Sequence, residues 1–197
     1  MEENQIKTAE QLLIIGGSAG SLDVLLKILP LLDQQLSIAI IIVVHRRSSP
    51  GISLADLLDA KTKLKVKEAD DKDAILKGYI YLAPADYHLL IESNFTLALD
   101  YSEKINYSRP SIDVTFETAA DVYKERLTCL LMSGANNDGT EGLKKVKAAG
   151  GKVWIQNPLD AEVPYMPISA MNAMEADAIL NESIIAEYIN KLDRKLQ

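Results

Sequence analysis

Residues 38–44 read Ile-Ala-Ile-Ile-Ile-Val-Val, an almost wholly β-branched run with no polar position. β-Branched side chains favour extended backbone, and a strand apolar on both faces must be covered on both faces. A central strand of a parallel sheet, with helices above and below, meets that requirement. Shorter strand-like runs recur at 12–15, 127–132 and 152–156. The first ends in Gly16-Gly17, and a short apolar run bounded by glycine reads as a buried strand.

Segments with helical spacing lie between these runs. Leu22, Leu25, Leu26 and Leu29 predict a helix over 22–32, and a second covers 52–58. A third opens at Arg109-Pro110 and runs to about 126, with proline in the tolerated first turn. A fourth spans 139–149 and stops at Gly150-Gly151; 167–174 and 182–196 complete the set. Short strands are expected at 64–66 and 79–83, and 88–91 and 95–99 flank Glu92-Ser93-Asn94 as a hairpin. Residues 101–109 read as a surface loop. This alternation predicts an α/β fold: a doubly wound, mostly parallel sheet with helices on both faces and a small antiparallel hairpin. Residues 1–10 are expected to be a flexible N-terminal segment and 11–197 a single domain.

Composition then narrows the function classes. A net charge of −7 leaves no excess of Lys and Arg to displace counterions, which argues against nucleic acid and anionic membrane as partners. The apolar run 38–44 is too short to span a bilayer, and the polar N-terminus does not read as a signal peptide, so a cytoplasmic location is expected. Cys129 is the single cysteine and is expected to be an inert core thiol. Two histidines and no cysteine pair leave little for zinc, and neither a metal nor a cofactor is expected.

In open α/β sheets, sites form outside the carboxyl ends of the strands. Three such ends carry reactive side chains. Gly16-Gly17-Ser18-Ala19-Gly20 fits G-x-S-x-G in a strand–turn–helix context, which presents a serine hydroxyl near a helix N-terminus. Ser18 equally reads as a plain helix cap. His45 follows the run at 38–44 and can reach the same crevice, or simply hydrogen-bond within a loop. Asp138 follows the run at 127–132, in Ser133-Gly134-Ala135-Asn136-Asn137-Asp138-Gly139, where it also fits as an N-cap of the helix over 139–149. Together the three supply a nucleophile, a base and an orienting carboxylate. Their chain order is Ser, His, Asp, and no histidine follows His88, so the α/β-hydrolase order of Ser, acid, His does not apply. His88, in a strand-like segment, reads as structural. A dinucleotide site is the rival: Ser18 and Ser21 replace the later glycines of G-x-G-x-x-G, and Arg46 and Arg47 stand where a 2′-phosphate would be met.

The segments Ile15-Gly16-Gly17-Ser18-Ala19-Gly20-Ser21, Arg109-Pro110-Ser111-Ile112-Asp113 with Phe116-Glu117-Thr118-Ala119-Ala120, and Asn137-Asp138-Gly139-Thr140-Glu141-Gly142-Leu143 with Ala148-Ala149-Gly150-Gly151 resemble the catalytic domain of the CheB protein-glutamate methylesterases. Ala83-Pro84-Ala85-Asp86-Tyr87-His88-Leu89 and Met166-Pro167 fit the same pattern, so the resemblance runs over about residues 10–180. It implies a serine hydrolase that removes methyl groups from glutamyl esters of chemoreceptor helices through an acyl-enzyme, with glutamine deamidation as a second activity. Matched by motif, Ser18 is the nucleophile, His45 the base and Asp138 the orienting acid, and the N–H of Ala135 falls at the oxyanion position. Arg46, Arg47, Tyr165 and Met166 are the substrate-binding candidates. Three departures stand out: Ala19 replaces a hydroxyl residue, Asn136 and Asn137 interrupt a glycine-rich stretch, and Pro164-Tyr165-Met166-Pro167 replaces Tyr-Gly-Met-Pro. The first two motivate an alternative, a catalytically weak binding module in a signalling complex. Family members carry an N-terminal receiver domain that is not expected here, so a receiver or kinase protein acting in trans is a further expected partner.

Overall fold

The computed structural model describes residues 8–46 and 53–192. In chain order the elements are β1 (Leu12–Gly17), α1 (Ser21–Ile28), β2 (Ala39–Val44), α2 (Leu54–Asp59), β3 (Lys65–Glu68), β4 (Tyr79–Leu82), β5 (His88–Ile91), β6 (Leu97–Asp100), α3 (Ile112–Tyr123), β7 (Leu127–Leu131), α4 (Thr140–Ala148), β8 (Lys152–Gln156), α5 (Tyr165–Ala173), β9 (Ala178–Leu180) and α6 (Glu182–Leu192). Seven strands form one parallel sheet in the order β3-β4-β2-β1-β7-β8-β9, and β5 and β6 pair as a separate antiparallel hairpin. The chain winds outward from β1 to one side, then returns to its other side at β7. The strand order therefore switches between β1 and β7, where a crevice opens at the carboxyl ends.

Side-chain alternation splits the core into two layers. Ile14, Ile41, Val43, Cys129, Leu131, Val153 and Ile155 face α3, α4 and α5. Leu13, Ile15, Ile40, Ile42, Leu130 and Trp154 face α1, α2 and α6. Both faces of β1 and β2 are buried along their whole length, which explains the absence of polar positions in the 38–44 run. Cys129 is fully buried, and that burial pushes its thiol well above the ordinary range. Trp154 packs edge-on to Tyr188 within the second layer. Gly16 lets α3 come close to β1: a Cβ there would stand 2.5 Å from Ile112 Cγ2. No described helix is long and apolar enough to cross a membrane.

Several expectations are corrected. Gly16-Gly17 belong to β1 rather than ending it. Pro110 lies outside the third helix, which starts at Ile112 after an N-cap at Ser111. The helix expected from 167 begins two residues earlier, at Tyr165. β9 has only three residues, too short to show a period in the sequence. Thr8 bridges Leu76 and Ala9 is buried with its N–H on Ile75 O, so residues 8–10 are tied down rather than free. The rest of the expected N-terminal segment (1–7), residue 52 of the second helix and the tail of the last (193–196) lie outside the described residues.

Candidate active site

The register of the sheet brings the first two candidate residues together. Gly17 pairs with Val44 at the ends of β1 and β2, so Ser18 and His45 are the next positions on adjacent strands. His45 N–H donates to Gly17 O at 3.3 Å, and Ser18 N–H crosses to Ser133 O at 2.8 Å, beyond β7. The serine is thus pinned between the strands on either side of β1, at the switch point. Its carbonyl accepts from Ser21 Oγ at 2.6 Å, and Ser133 Oγ donates to Ala19 O at 2.7 Å, which fixes the turn.

His45 Nε2 lies 2.8 Å from Asp138 Oδ2. Asp138 is fully buried, yet six donors surround it. Oδ2 accepts from Ile112 N–H at 2.7 Å as well as from His45. Oδ1 accepts from Ser111 Oγ at 2.9 Å, Asp113 N–H and Gly139 N–H at 3.1 Å, and Asn106 Nδ2 at 3.3 Å. Burial alone would raise its pKa; the hydrogen bonds from His45, Ile112 and Asp113 outweigh that and bring it down to about 2. An ionised Asp138 takes only donors, so it holds the His45 proton on Nε2 and leaves Nδ1 as the basic ring nitrogen.

Asp138 does not cap α4, as one sequence reading had it. The N-cap of α4 is Gly139, at φ 94°, without a side-chain cap. Asp138 instead receives the first N–H groups of α3, and the positive end of that helix dipole favours its charge. Ser111 is held in place by His88. Ser111 N–H donates to His88 Nδ1 at 3.1 Å, and His88 Nε2 donates to Glu103 O at 3.0 Å. His88 is fully buried, and its two bonds make it a bracket for the α3 N-terminus.

A second carboxyl group sits beside the first. Asp113 Oδ1 accepts from Gly142 N–H at 2.7 Å, and Oδ2 from Asn106 Nδ2 at 3.0 Å. Asn106 thereby bridges Asp113 and Asp138. Burial, opposed by the Gly142 N–H and reinforced by the Asp138 charge, pushes Asp113 up to about 7. One carboxyl of the pair is an anion at neutral pH, while the other sits close to its titration point.

The loop after β7 completes the crevice. A Cβ on Gly134 would stand 3.1 Å from Ser18 Cβ and 2.5 Å from Met166 Cε, so only glycine admits this close approach. Ala135, the next residue, is exposed, and among the described residues neither its N–H nor that of Ala19 donates to a protein acceptor. Asn136 Oδ1 accepts from Asp138 N–H at 3.2 Å, so the asparagine that departs from the glycine-rich pattern shapes the loop.

The substrate-binding candidates are placed unevenly. Arg46 lines a cleft beside His45. Tyr165 is exposed at the start of α5. Met166 is fully buried beneath Gly134 and Ser18, so it shapes the crevice floor without reaching a ligand surface. Arg47 lies outside the described residues. His88 is structural, as the sequence suggests, whereas the roles of Asn106, Ser111 and Asp113 around Asp138 have no counterpart in the sequence reading. Ser111 and Asp113 stand in a motif segment that marks them as notable, but nothing local marks Asn106.

A sequence model of the CheB methylesterase family matches residues 13–189. A Leptospira interrogans protein is 43% identical over 182 residues, covering 92% of this chain and 94% of that protein. A Thermotoga maritima protein-glutamate methylesterase/protein-glutamine glutaminase is 35% identical over 185 residues, 92% of this chain and 54% of its own length. The crystal structure of the Thermotoga maritima CheB methylesterase catalytic domain superposes with a TM-score of 0.88 at 35% identity, over 92% of this chain and 98% of that one.

Proposed function

The chain belongs to the CheB methylesterase family, a family of hydrolases, and from that premise we propose that it hydrolyses glutamyl methyl esters through a Ser18–His45–Asp138 triad and an acyl-enzyme. The observation that carries this is Asp138. A buried carboxylate with a pKa of about 2, bonded to one nitrogen of a histidine that adjoins a serine at the strand switch, orients a general base.

In the first half-reaction His45 Nδ1 takes the Ser18 Oγ proton as Oγ attacks the side-chain carbonyl carbon of the ester. Asp138 stays ionised, keeps the proton on Nε2 and stabilises the imidazolium. The N–H groups of Ala135 and Ala19, which have no protein acceptor among the described residues, receive the oxyanion. The C–O bond to the methoxy group breaks, and methanol leaves with the proton from Nδ1. In the second half-reaction His45 deprotonates a water, which attacks the acyl carbon. Ser18 regains its proton, and a free glutamate side chain departs. With a carboxamide in place of the ester, the C–N bond breaks and the nitrogen leaves as ammonia with the Nδ1 proton, so the same groups serve glutamine deamidation. General-base help is worth ~10²–10⁴-fold and one oxyanion donor ~10²–10³-fold. The substrate is a methylated helix of a chemoreceptor's cytoplasmic part, and the protein works in the cytoplasm.

A fluorophosphonate probe tests the nucleophile. The unsubstituted chain is expected to be labelled at Ser18, and His45→Ala to slow labelling at least ~100-fold. A folded protein that resists labelling would replace the hydrolase by a binding module of the same fold.

A further inference from the structure

A cleft of about 270 Å³ opens beside His45, and Arg46, Asp86, Lys104, Tyr107 and Arg109 line it with the histidine. Three cations face one carboxylate there, in a chain whose net charge is −7. Arg46 Nη2 pairs with Glu68 Oε2 at 2.5 Å. Arg109 lies on the Tyr101 ring, with Cζ 3.8 Å from its centroid, and its Nη1 donates to Ser102 O at 2.6 Å and Tyr101 O at 3.1 Å. Both guanidinium planes are therefore locked before any ligand arrives. The Nε–H of each is buried and, among the described residues, has no acceptor. A buried Nε–H offers no surface to an incoming group, so the cleft's capacity for an anion rests on the exposed Lys104 and on the accessible part of the Arg46 side chain. Lys104 is exposed and, among the described residues, has no carboxylate partner.

We propose that this cleft is a carboxylate subsite, which receives an acidic side chain three or four positions from the ester on a helical polypeptide substrate. The inference rests on the esterase function proposed above and names a determinant of its substrate. His45 belongs both to the triad and to the cleft wall, so the ester carbon and the subsite are neighbours. On a helix, residues three or four apart present side chains about 5–6 Å from one another, so a helical substrate with its ester at Ser18 can offer a neighbouring side chain to the cleft beside His45. With Asp86 and the Glu68 pair counted against the three cations, the site carries an excess of one positive charge, the complement of a monoanion. The rim is aromatic and open: Tyr107 is 98% exposed, Tyr101 65% and Tyr87 40%. Exposed tyrosines around a polar site are the composition of a protein-binding surface.

The test uses the full chain carrying Ser18→Ala, so that bound peptide is not turned over. Two labelled helical peptides each contain one glutamyl methyl ester and differ only by Glu or Gln four positions away. At low salt the Glu peptide is expected to bind about 5-fold tighter by fluorescence anisotropy, as one exposed ion pair allows. That preference is expected to vanish in Ser18→Ala with Lys104→Gln, and to shrink in 0.5 M salt. Equal binding of the two peptides, absent binding of both, or a preference that survives Lys104→Gln overturns the subsite. Turnover by the unsubstituted chain is read separately. Peptides bound with the preference but never hydrolysed would overturn the esterase and leave the carboxylate subsite standing.

Discussion

Asp138→Asn is the substitution whose consequences the structure specifies most fully. The amide oxygen can replace Oδ1, where it keeps Ser111 Oγ, Asp113 N–H, Gly139 N–H and Asn106. The NH₂ group then occupies the Oδ2 position, opposite Ile112 N–H and His45 Nε2. Two effects follow. Ile112 N–H loses its acceptor in a fully buried place, which costs about 1–3 kcal/mol. His45 must accept at Nε2, which moves its proton to Nδ1 and removes the base. The fall of the Asp138 pKa from 3.8 to about 2 corresponds to about 2 kcal/mol favouring the folded, ionised state. Turnover is therefore expected to drop about 10⁴-fold, the scale known for a wrong-tautomer histidine. Stability at pH 7, from urea unfolding, is expected to fall by about 3–5 kcal/mol. The pH dependence supplies the sign. A carboxyl with a depressed pKa stabilises above its ordinary value, and that stabilisation is lost as pH falls through about 2. The gap between the two proteins should thus narrow between pH 4 and pH 2. Turnover within tenfold of the unsubstituted chain, or a stability gap that ignores pH, would refute the reasoning.

Asp113 runs the other way. Its pKa is raised to about 7, so its contribution is complete below about 4 and is lost as pH rises through 7. Asp113→Asn is therefore expected to gain on the unsubstituted chain by about 2–3 kcal/mol between pH 5 and pH 8 in urea midpoints, and a flat difference would remove the raised pKa. Gly16→Ala sets a Cβ 2.5 Å from Ile112 Cγ2, and a loss of about 1–3 kcal/mol in the same assay is expected, with turnover lowered because Ile112 carries an N–H to Asp138. Gly134→Ala must displace the Met166 methyl group, against Ser18 Cβ at 3.1 Å, so turnover is expected to fall far more than stability; an unchanged rate would show that this approach does not set the crevice.

The sheet was legible because its constraint is local in sequence. A β-branched run such as 38–44 can be satisfied only by burial on two faces, and a glycine-bounded run beside it supplies the neighbour. Ser18 and His45 followed from that, since strand ends in such a sheet share an edge. Asp138 was legible as the partner of His45 but not as the acceptor for the first N–H groups of α3. It caps α3, 26 positions away at Ile112, and no short-range pattern reveals a cap supplied from another loop. Asn106 escaped for the same reason, since its partner Asp138 lies 32 positions away; His88 is structural, as expected, but its partner Ser111, 23 positions away, has no local signal. Met166 is a substrate-binding candidate only through its place in the Pro164–Pro167 motif, and packing instead places it fully buried against Gly134. The start of α3 was misplaced because Pro110 is acceptable in a first turn, whereas the helix takes its first two N–H acceptors from Asp138.

Methanol release from a methylated chemoreceptor cytoplasmic fragment, measured with the unsubstituted chain and with Ser18→Ala, tests the central claim most directly. The account predicts steady release by the first and a loss of at least about 10⁴-fold in the second. Equal release by both would contradict Ser18 as the nucleophile, and no release by a folded unsubstituted chain would contradict the esterase itself.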